Sequence, residues 1–300
     1  MPRKPRLHTP GGLYHVILRG NNRQNILDDD VDRLELERFV ATGLNRYGCR
    51  LHAYCWMSNH IHMAVQVGTI PLGSLMRWIA SQFARSWNKR RHCTGHVFER
   101  RHRAILVNAD QYALQLVRYI HLNPVQAGMV DHAEEYAWSS HACYLGLTEN
   151  PWLTTDWVIS QFSNYKETAQ RRFARFVKTP SDDEYESKLV SPPGRDVRIL
   201  DDDEFLSSVS ERSTTDFCQE GLNEIITQIC DVYGVTESML ASTNRSRKLA
   251  RIRAEITHIA MDSSGATLAE IAKRFRRAES VLCRAVHRYR RSTSFRNQVN

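Results

Sequence analysis

Two histidines stand one residue apart in His60-Ile61-His62, inside an apolar run. In a β-strand, residues i and i+2 point to the same face. The two imidazoles would then converge on one point, where neutral ring nitrogens can bind a divalent ion. Ile61 would point the other way, into the core. Taken alone the pattern is common, and it also fits two satisfied surface histidines. A second fragment, Arg118-Tyr119-Ile120-His121-Leu122-Asn123-Pro124, lies near the end of a helix-like stretch. Tyr119 and Asn123 are four residues apart and share a helical face, with about 6 Å between them. A phenol can attack phosphorus, and a neutral amide oxygen suits a hard cation such as Mg²⁺. Pro124 is expected to end the helix directly after Asn123. A metal-binding histidine pair with a separate tyrosine is a set of parts that could serve nucleophilic attack on a phosphate ester.

The surrounding elements can place these groups. Leu13 to Arg19 alternates and is rich in β-formers, which predicts a strand. Asp28 to Tyr47 opens on acidic residues and spaces Leu34, Leu36, Phe39, Val40 and Leu44 as a helix does. Leu51 to Met57 and His60 to Val67 read as two strands around a Ser58-Asn59 turn. Ser74 to Arg91 predicts a second helix ending in a basic cluster, and Ala104 to Val107 a short strand. A third helix follows, capped by Asn108 or Asp110. The first six elements, β-α-β-β-α-β, match a ferredoxin-like split unit, and the added helix carries Tyr119. The fold class expected is α+β, with an all-α helix-turn-helix domain after it.

The segment Tyr54-Cys55-Trp56-Met57-Ser58-Asn59-His60-Ile61-His62-Met63 closely resembles a strand-turn-strand block ending in Met-Pro-Asn-His-hydrophobic-His, with Ser58 in place of the proline. Arg118 to Gly128 matches an Arg-Tyr-Ile-His-Leu-Asn-Pro-Val-Arg-Ala-Gly block at all but one position, Gln126 replacing arginine. Both blocks are those of the single-tyrosine transposases of the HUH (His-hydrophobic-His) superfamily. Residues 1 to about 150 resemble this family, and within it the REP-associated tyrosine transposases of bacteria most. The resemblance implies that Tyr119 is the nucleophile, that His60, His62 and Asn123 hold a divalent metal (Mg²⁺ or Mn²⁺), and that the substrate is single-stranded DNA bearing hairpins. It implies in-line attack by Tyr119, release of a 3′-hydroxyl and a protein–5′-phosphate ester that another end can reverse. A phenol is mostly protonated near neutral pH, so metal charge on the phosphate would carry much of the activation. Arg19-Gly20-Asn21-Asn22-Arg23 and Gly95 to Arg103 resemble two further family blocks. From these, Arg19, Asn21, Arg100, Arg101 and Arg103 are expected to bind DNA, although a basic, solubilising loop is the plainer reading. Tyr14, Tyr54, Tyr112, Tyr136 and Tyr144 are expected in the core or on the surface. His121 is expected to be structural, since its side chain diverges from that of Tyr119.

Composition sets the frame. The chain has 300 residues, 42% hydrophobic and 25% charged, enough for two ordinary soluble domains. The apolar runs are too short for a membrane span, and the basic N-terminus has no apolar stretch after it. Seven cysteines without a Cys-x-x-Cys pair fit free thiols. A cytoplasmic bacterial protein associated with the nucleoid is expected. Net charge is +8, distributed as +6 over 1–150, +3 over 151–179, −8 over 180–220 and +7 over 221–300. Two basic blocks around an acidic one favour nucleic acid. The domains expected are 1–178 (catalytic), 179–220 (acidic linker) and 221–295 (helix-turn-helix), with a tail at 296–300. In the last domain Thr267-Leu268-Ala269-Glu270 is a capping box. A basic turn and an amphipathic helix with Arg284 and Arg288 follow it, and Arg247 and Arg251 lie on a helix upstream. This stretch resembles the DNA-binding domain of the bacterial replication initiator DnaA, except that Ala278-Glu279-Ser280 replaces its base-reading segment. Duplex DNA is therefore a possible second partner, and the chain is either monomer or homodimer. The rivals are a replication-initiator or relaxase-type nickase, a DNA-binding regulator that does not cut, and a metal-dependent ribonuclease.

Overall fold

The computed structural model describes residues 8–179, 199–200, 214–244, 246–263 and 266–296. Two units can be separated, one comprising residues 1–68 and 75–212, the other 69–74 and 213–300.

In the first unit β1 (Leu13–Arg19), β2 (Arg50–Trp56), β3 (His60–Gln66) and β4 (Arg103–Val107) form an antiparallel sheet in the order β2-β3-β1-β4. The helices α1 (Asp30–Tyr47) and α2 (Leu72–Arg91) follow β1 and β3 in the chain, and α3 (Ala109–Gln126) follows β4. These bounds lie within two residues of those read from periodicity. Asp29 caps α1 by accepting from the Asp32 N–H at 2.8 Å, and Gly48, at φ +60°, closes its other end. Asn108 caps α3.

The pleat sorts residues to two faces. Tyr14, Val16, Leu18, Ile61, Met63, Val65 and Leu106 lie on one, and all are buried. Trp56, on this face, donates from Nε1 to Glu37 of α1 at 3.1 Å. A buried carboxylate joins α1 to α2, with Asp32 accepting from Arg90 at 2.5 Å and from Arg91 at 2.6 Å. The other face carries Leu13, His15, Ile17 and Arg19 of β1, His60, His62 and Ala64 of β3, and Arg103, Ile105 and Val107 of β4. Ala113, Leu116, Val117, Tyr119 and Ile120 of α3 share one core with this face.

After α3 the chain runs along the outer edge of β2. Trp56 N–H donates to Trp138 O at 2.9 Å, Ser140 N–H to Tyr54 O at 3.0 Å, Tyr136 Oη to Trp56 O at 2.7 Å and Tyr144 Oη to His52 O at 2.8 Å. The edge is thereby closed to further pairing. The short helices α4 (His141–Tyr144) and α5 (Asp156–Ile159), and α6 (Lys166–Lys178), complete the layer, with Phe173 buried beside Tyr144.

Three expectations need correction. Pro124 does not end α3, which runs on to Gln126. One lost N–H in the last turn is tolerable because the following groups close the end: Ala127 N–H reaches Asn123 O, Met129 N–H reaches Pro124 O, and Gly128 takes φ +65°. Second, Ile199–Leu200, within the stretch read as linker, form β5 and pair parallel with β4. Third, helix resumes at Thr214, inside the stretch 179–220 read as linker. Most of the acidic stretch, the first seven residues and residues 297–300 lie outside the described residues.

The second unit is helical: α7 (Thr214–Tyr233), α8 (Glu237–Ala241), α9 (Arg247–Ser263), α10 (Leu268–Arg274) and α11 (Glu279–Arg296). Leu222, Ile226, Leu240, Ile252, Ile256, Ile271, Phe275 and Leu282 make its core. The Thr267–Glu270 capping box opens α10, both of its bonds formed. Arg253 is buried and donates to the carbonyls of Leu240 (2.6 Å) and Asn244 (3.1 Å), satisfying groups at the end of α8 and in the turn after it.

Candidate active site

His60 and His62 stand on one face of β3 with ring centroids 4.9 Å apart, and Ile61 is buried on the other face. The strand expectation holds here because β3 is an inner strand whose register is fixed on both sides: His60 lies opposite Arg19, and His62 opposite Ile17 and Cys55. Each ring has one nitrogen engaged. His60 Nδ1 is 2.6 Å from Asn59 Oδ1, and His62 Nδ1 is 3.0 Å from His15 Nε2. The Nε2 atoms are the nitrogens left for an ion. Burial, reinforced by the charge of Arg19, lowers the His60 pKa to about 4. His62 is held well below the ordinary value, again by burial first, then by His15, His60 and Arg19. Both rings are therefore neutral at physiological pH, as ligation requires.

Tyr119 comes from α3, which crosses the same sheet face. Its ring meets His62 at 5.9 Å and His15 at 5.5 Å between centroids, edge-on in both cases. It is 8% exposed, so the phenol sits at the rim of the core. Asn123, one turn further, donates from Nδ2 to the Tyr119 carbonyl at 2.8 Å. That commits its nitrogen to the helix and leaves the oxygen as the atom with ligand character. Among the described residues no cluster of three or more His, Cys, Asp or Glu is arranged to hold a metal. Two neutral imidazoles and an amide oxygen are donor types that could hold a hard divalent ion.

Behind Tyr119, α3 is pinned by polar contacts. His121 Nε2 lies 2.7 Å from Ser140 Oγ, and His121 Nδ1 lies 3.2 Å from His141 Nδ1. Ser140 Oγ also accepts from the Tyr54 N–H at 2.9 Å. Both histidines are buried. Tyr14, Tyr54, Tyr136 and Tyr144 are likewise buried, and Tyr112 packs partly buried against the α3 core.

Of the basic residues of the first unit, Arg19, Arg100, Arg101 and Arg103 lie toward the same end of the sheet. Arg19 closes β1 opposite His60, and its carbonyl accepts from the Glu99 N–H at 3.1 Å. Asn21 N–H donates to Val97 O at 2.8 Å, and Gly20 N–H to Asn59 O at 2.8 Å. The 20–24 loop, the 58–59 turn and the 97–101 loop are thus knitted together beside His60. Asn22 and Arg23 both adopt positive φ, at +49° and +59°. Arg19, Arg100 and Arg101 are exposed, Asn21 is half-buried, and Arg100 pairs with Glu99 at 2.9 Å. Arg103 opens β4 on the histidine face, where its charge acts on His15. Arg247, Arg251, Arg284 and Arg288 belong to the second unit and are exposed on α9 and α11.

His15 is the site residue that sequence reasoning missed. It is fully buried, stacks on His62 with centroids 5.3 Å apart, and touches Tyr119 edge-on. Burial, with the Arg103 charge, lowers its pKa to about 3. The signal available was a histidine on the inward face of a predicted strand, which must find a polar partner.

No curated protein matches the chain. A solved structure of a REP-associated tyrosine transposase bound to a REP hairpin aligns with it at 18% identity and a TM-score of 0.43, covering 51% of this chain and 98% of that one. Residues 10–123 match the family model for IS200-like transposases, a span running from the start of β1 through His60, His62 and Tyr119 to Asn123. Over those residues the chain carries an IS200-like transposase domain.

Proposed function

We propose that this chain is a metal-dependent DNA strand transferase that cleaves and rejoins single-stranded DNA through a 5′-phosphotyrosine intermediate. The observation that carries this reading is the meeting of Tyr119 with His62, 5.9 Å ring to ring, on a face whose histidines are neutral. His60, His62 and the Asn123 amide would hold Mg²⁺ or Mn²⁺, which when bound supplies positive charge to the scissile phosphate. Tyr119 attacks the phosphorus in line and the 3′-oxygen leaves as a hydroxyl. The phenolic proton is given up as the ester forms, and the step reverses when a second 3′-hydroxyl attacks. Arg19 and Arg103, flanking the histidines, bind phosphate oxygens, and Asn21, Arg100 and Arg101 extend the contact along the strand. The sheet order β2-β3-β1-β4 supports a ferredoxin-like topology for the domain. Hairpin-bearing single strands are the substrate we favour. The exposed arginines Arg284 and Arg288 on α11, behind the capped α10, support helix-turn-helix contact with duplex DNA, with Arg247 and Arg251 as further phosphate contacts.

The test uses labelled hairpin oligonucleotides drawn from DNA flanking the gene, with Mg²⁺ or Mn²⁺, and gels that detect a denaturant-resistant protein–DNA adduct. An adduct is expected with the wild type and none with Tyr119→Phe or His62→Ala. Cleavage that persists in Tyr119→Phe without an adduct would replace this mechanism by a water-using nuclease. Tight binding without cleavage by all three proteins would make the chain a regulator.

A further inference from the structure

His15 is a fully buried titratable group that the proposed reaction leaves without a task. It projects from β1 on the sheet face that carries both candidate ligands, and its Nε2 lies 3.0 Å from His62 Nδ1. Its own Nδ1 is buried and has no hydrogen-bond partner. The rings of His15 and His62 are nearly parallel, at 19°, so they stack as well as bond.

We propose that His15 is a positioning residue for His62: it fixes the imidazole's rotation and occupies Nδ1, so that Nε2 alone is open to a divalent cation. The inference rests on the metal-binding reading of His60 and His62. Each neutral ring carries one proton, and a single proton occupies the space between His15 Nε2 and His62 Nδ1. An ion on the His62 Nε2 lone pair requires the His62 proton on Nδ1, donated to His15. A ligating histidine whose second nitrogen is held by a neighbour is a recurrent device for setting tautomer and orientation, and loss of the neighbour typically weakens metal binding about 10–100-fold.

Two measurements test this on the full chain. Mn²⁺ affinity, read by calorimetry, is compared among wild type, His15→Leu, His15→Gln and His62→Ala. Gln can place an oxygen near the position of the His15 Nε2. His15→Leu should bind about 10–100-fold more weakly than wild type, and His15→Gln should recover most of the loss. A His15→Leu affinity within twofold of wild type, or a His15→Gln protein as weak as His15→Leu, overturns the proposal. Nitrogen NMR of metal-free, histidine-labelled wild type supplies the second readout, independent of any variant's folding. It should show coupling across the His15 Nε2–His62 Nδ1 bond, and on titration with Mg²⁺ that coupling should persist with the His62 proton on Nδ1. Absence of the coupling also overturns the proposal. Failure of the metal reading looks different: Mn²⁺ affinity equal in wild type and His62→Ala, with the coupling intact.

Discussion

Tyr119 and Asn123 sit on one turn of α3, and Asn123 Nδ2 donates to the Tyr119 carbonyl. The two possible tasks of Asn123, closing the helix and offering an oxygen to the ion, are separable by substitution. Asn123→Ala should cost about 1 kcal/mol of stability for one hydrogen bond. Adduct formation should fall about 100-fold, the upper end of what metal-site substitutions cost, and excess Mn²⁺ should partly restore it. Unchanged adduct yield with the small stability loss would reduce Asn123 to a helix-closing residue. The histidines make a second prediction. His15, His52, His62, His121 and His141 are all buried, and burial lowers each pKa, that of His141 to about 4. The unfolded chain then binds protons that the native one refuses. Stability is complete above the unfolded value near 6.5 and declines as pH falls from there toward 4, by up to about 1.4 kcal/mol per pH unit for each histidine. Urea unfolding at pH 7 and pH 5 should show the decline, and equal midpoints would refute it. His60, His62, Tyr119 and Asn123 were legible because their spacing is local. His15 was not, because its partner is 47 residues away and only the register of Ile17 against His62 brings them together.

At the scale of elements, what was legible followed from periodicity, and what was not followed from contacts. The strands β1 to β4 and helices α1 to α3 announce themselves by alternation, caps and apolar spacing. The extension of α3 past Pro124 depends on Gly128 and on bonds from the turn after it, so a rule about proline alone stops the helix too early. The pairing of Ile199–Leu200 with β4 is too short to leave a pattern. The sheet end that carries the arginines depends on one close approach. A Cβ at Gly20 would lie 2.2 Å from the Gln24 carbonyl oxygen and 2.9 Å from Ile26 Cγ2, and the Gly20 N–H holds Asn59 at 2.8 Å. The first obstacle is backbone, so the 20–24 loop must move if the glycine is replaced. Gly20→Ala should destabilise the protein by about 2 kcal/mol, within the range for overpacked sites. It should also weaken hairpin-oligonucleotide binding, since Asn21 and the turn before His60 move with the loop. Fluorescence anisotropy and urea unfolding report the two effects. Undiminished binding by a destabilised protein would detach this loop from DNA recognition.

For the whole molecule, the question is whether one chain contains a complete set of groups. Within this chain Tyr119 stands over its own His62, and α3 is held there by His121, Ser140 and His141, all of the same domain. Both groups come from one chain in this arrangement, which predicts attack in cis, whether the protein is a monomer or a homodimer. Mixing Tyr119→Phe with His62→Ala chains tests it. If each site uses its own tyrosine, neither chain can complete a site for the other, and the mixture yields no adduct. If a dimer exchanges tyrosines, half of the mixed assemblies are heterodimers with one complete site, and the adduct returns to about a quarter of the wild-type level. Co-expression, rather than mixing of purified chains, ensures that heterodimers form. Recovery near a quarter would show that α3 leaves the position described here to act on a partner.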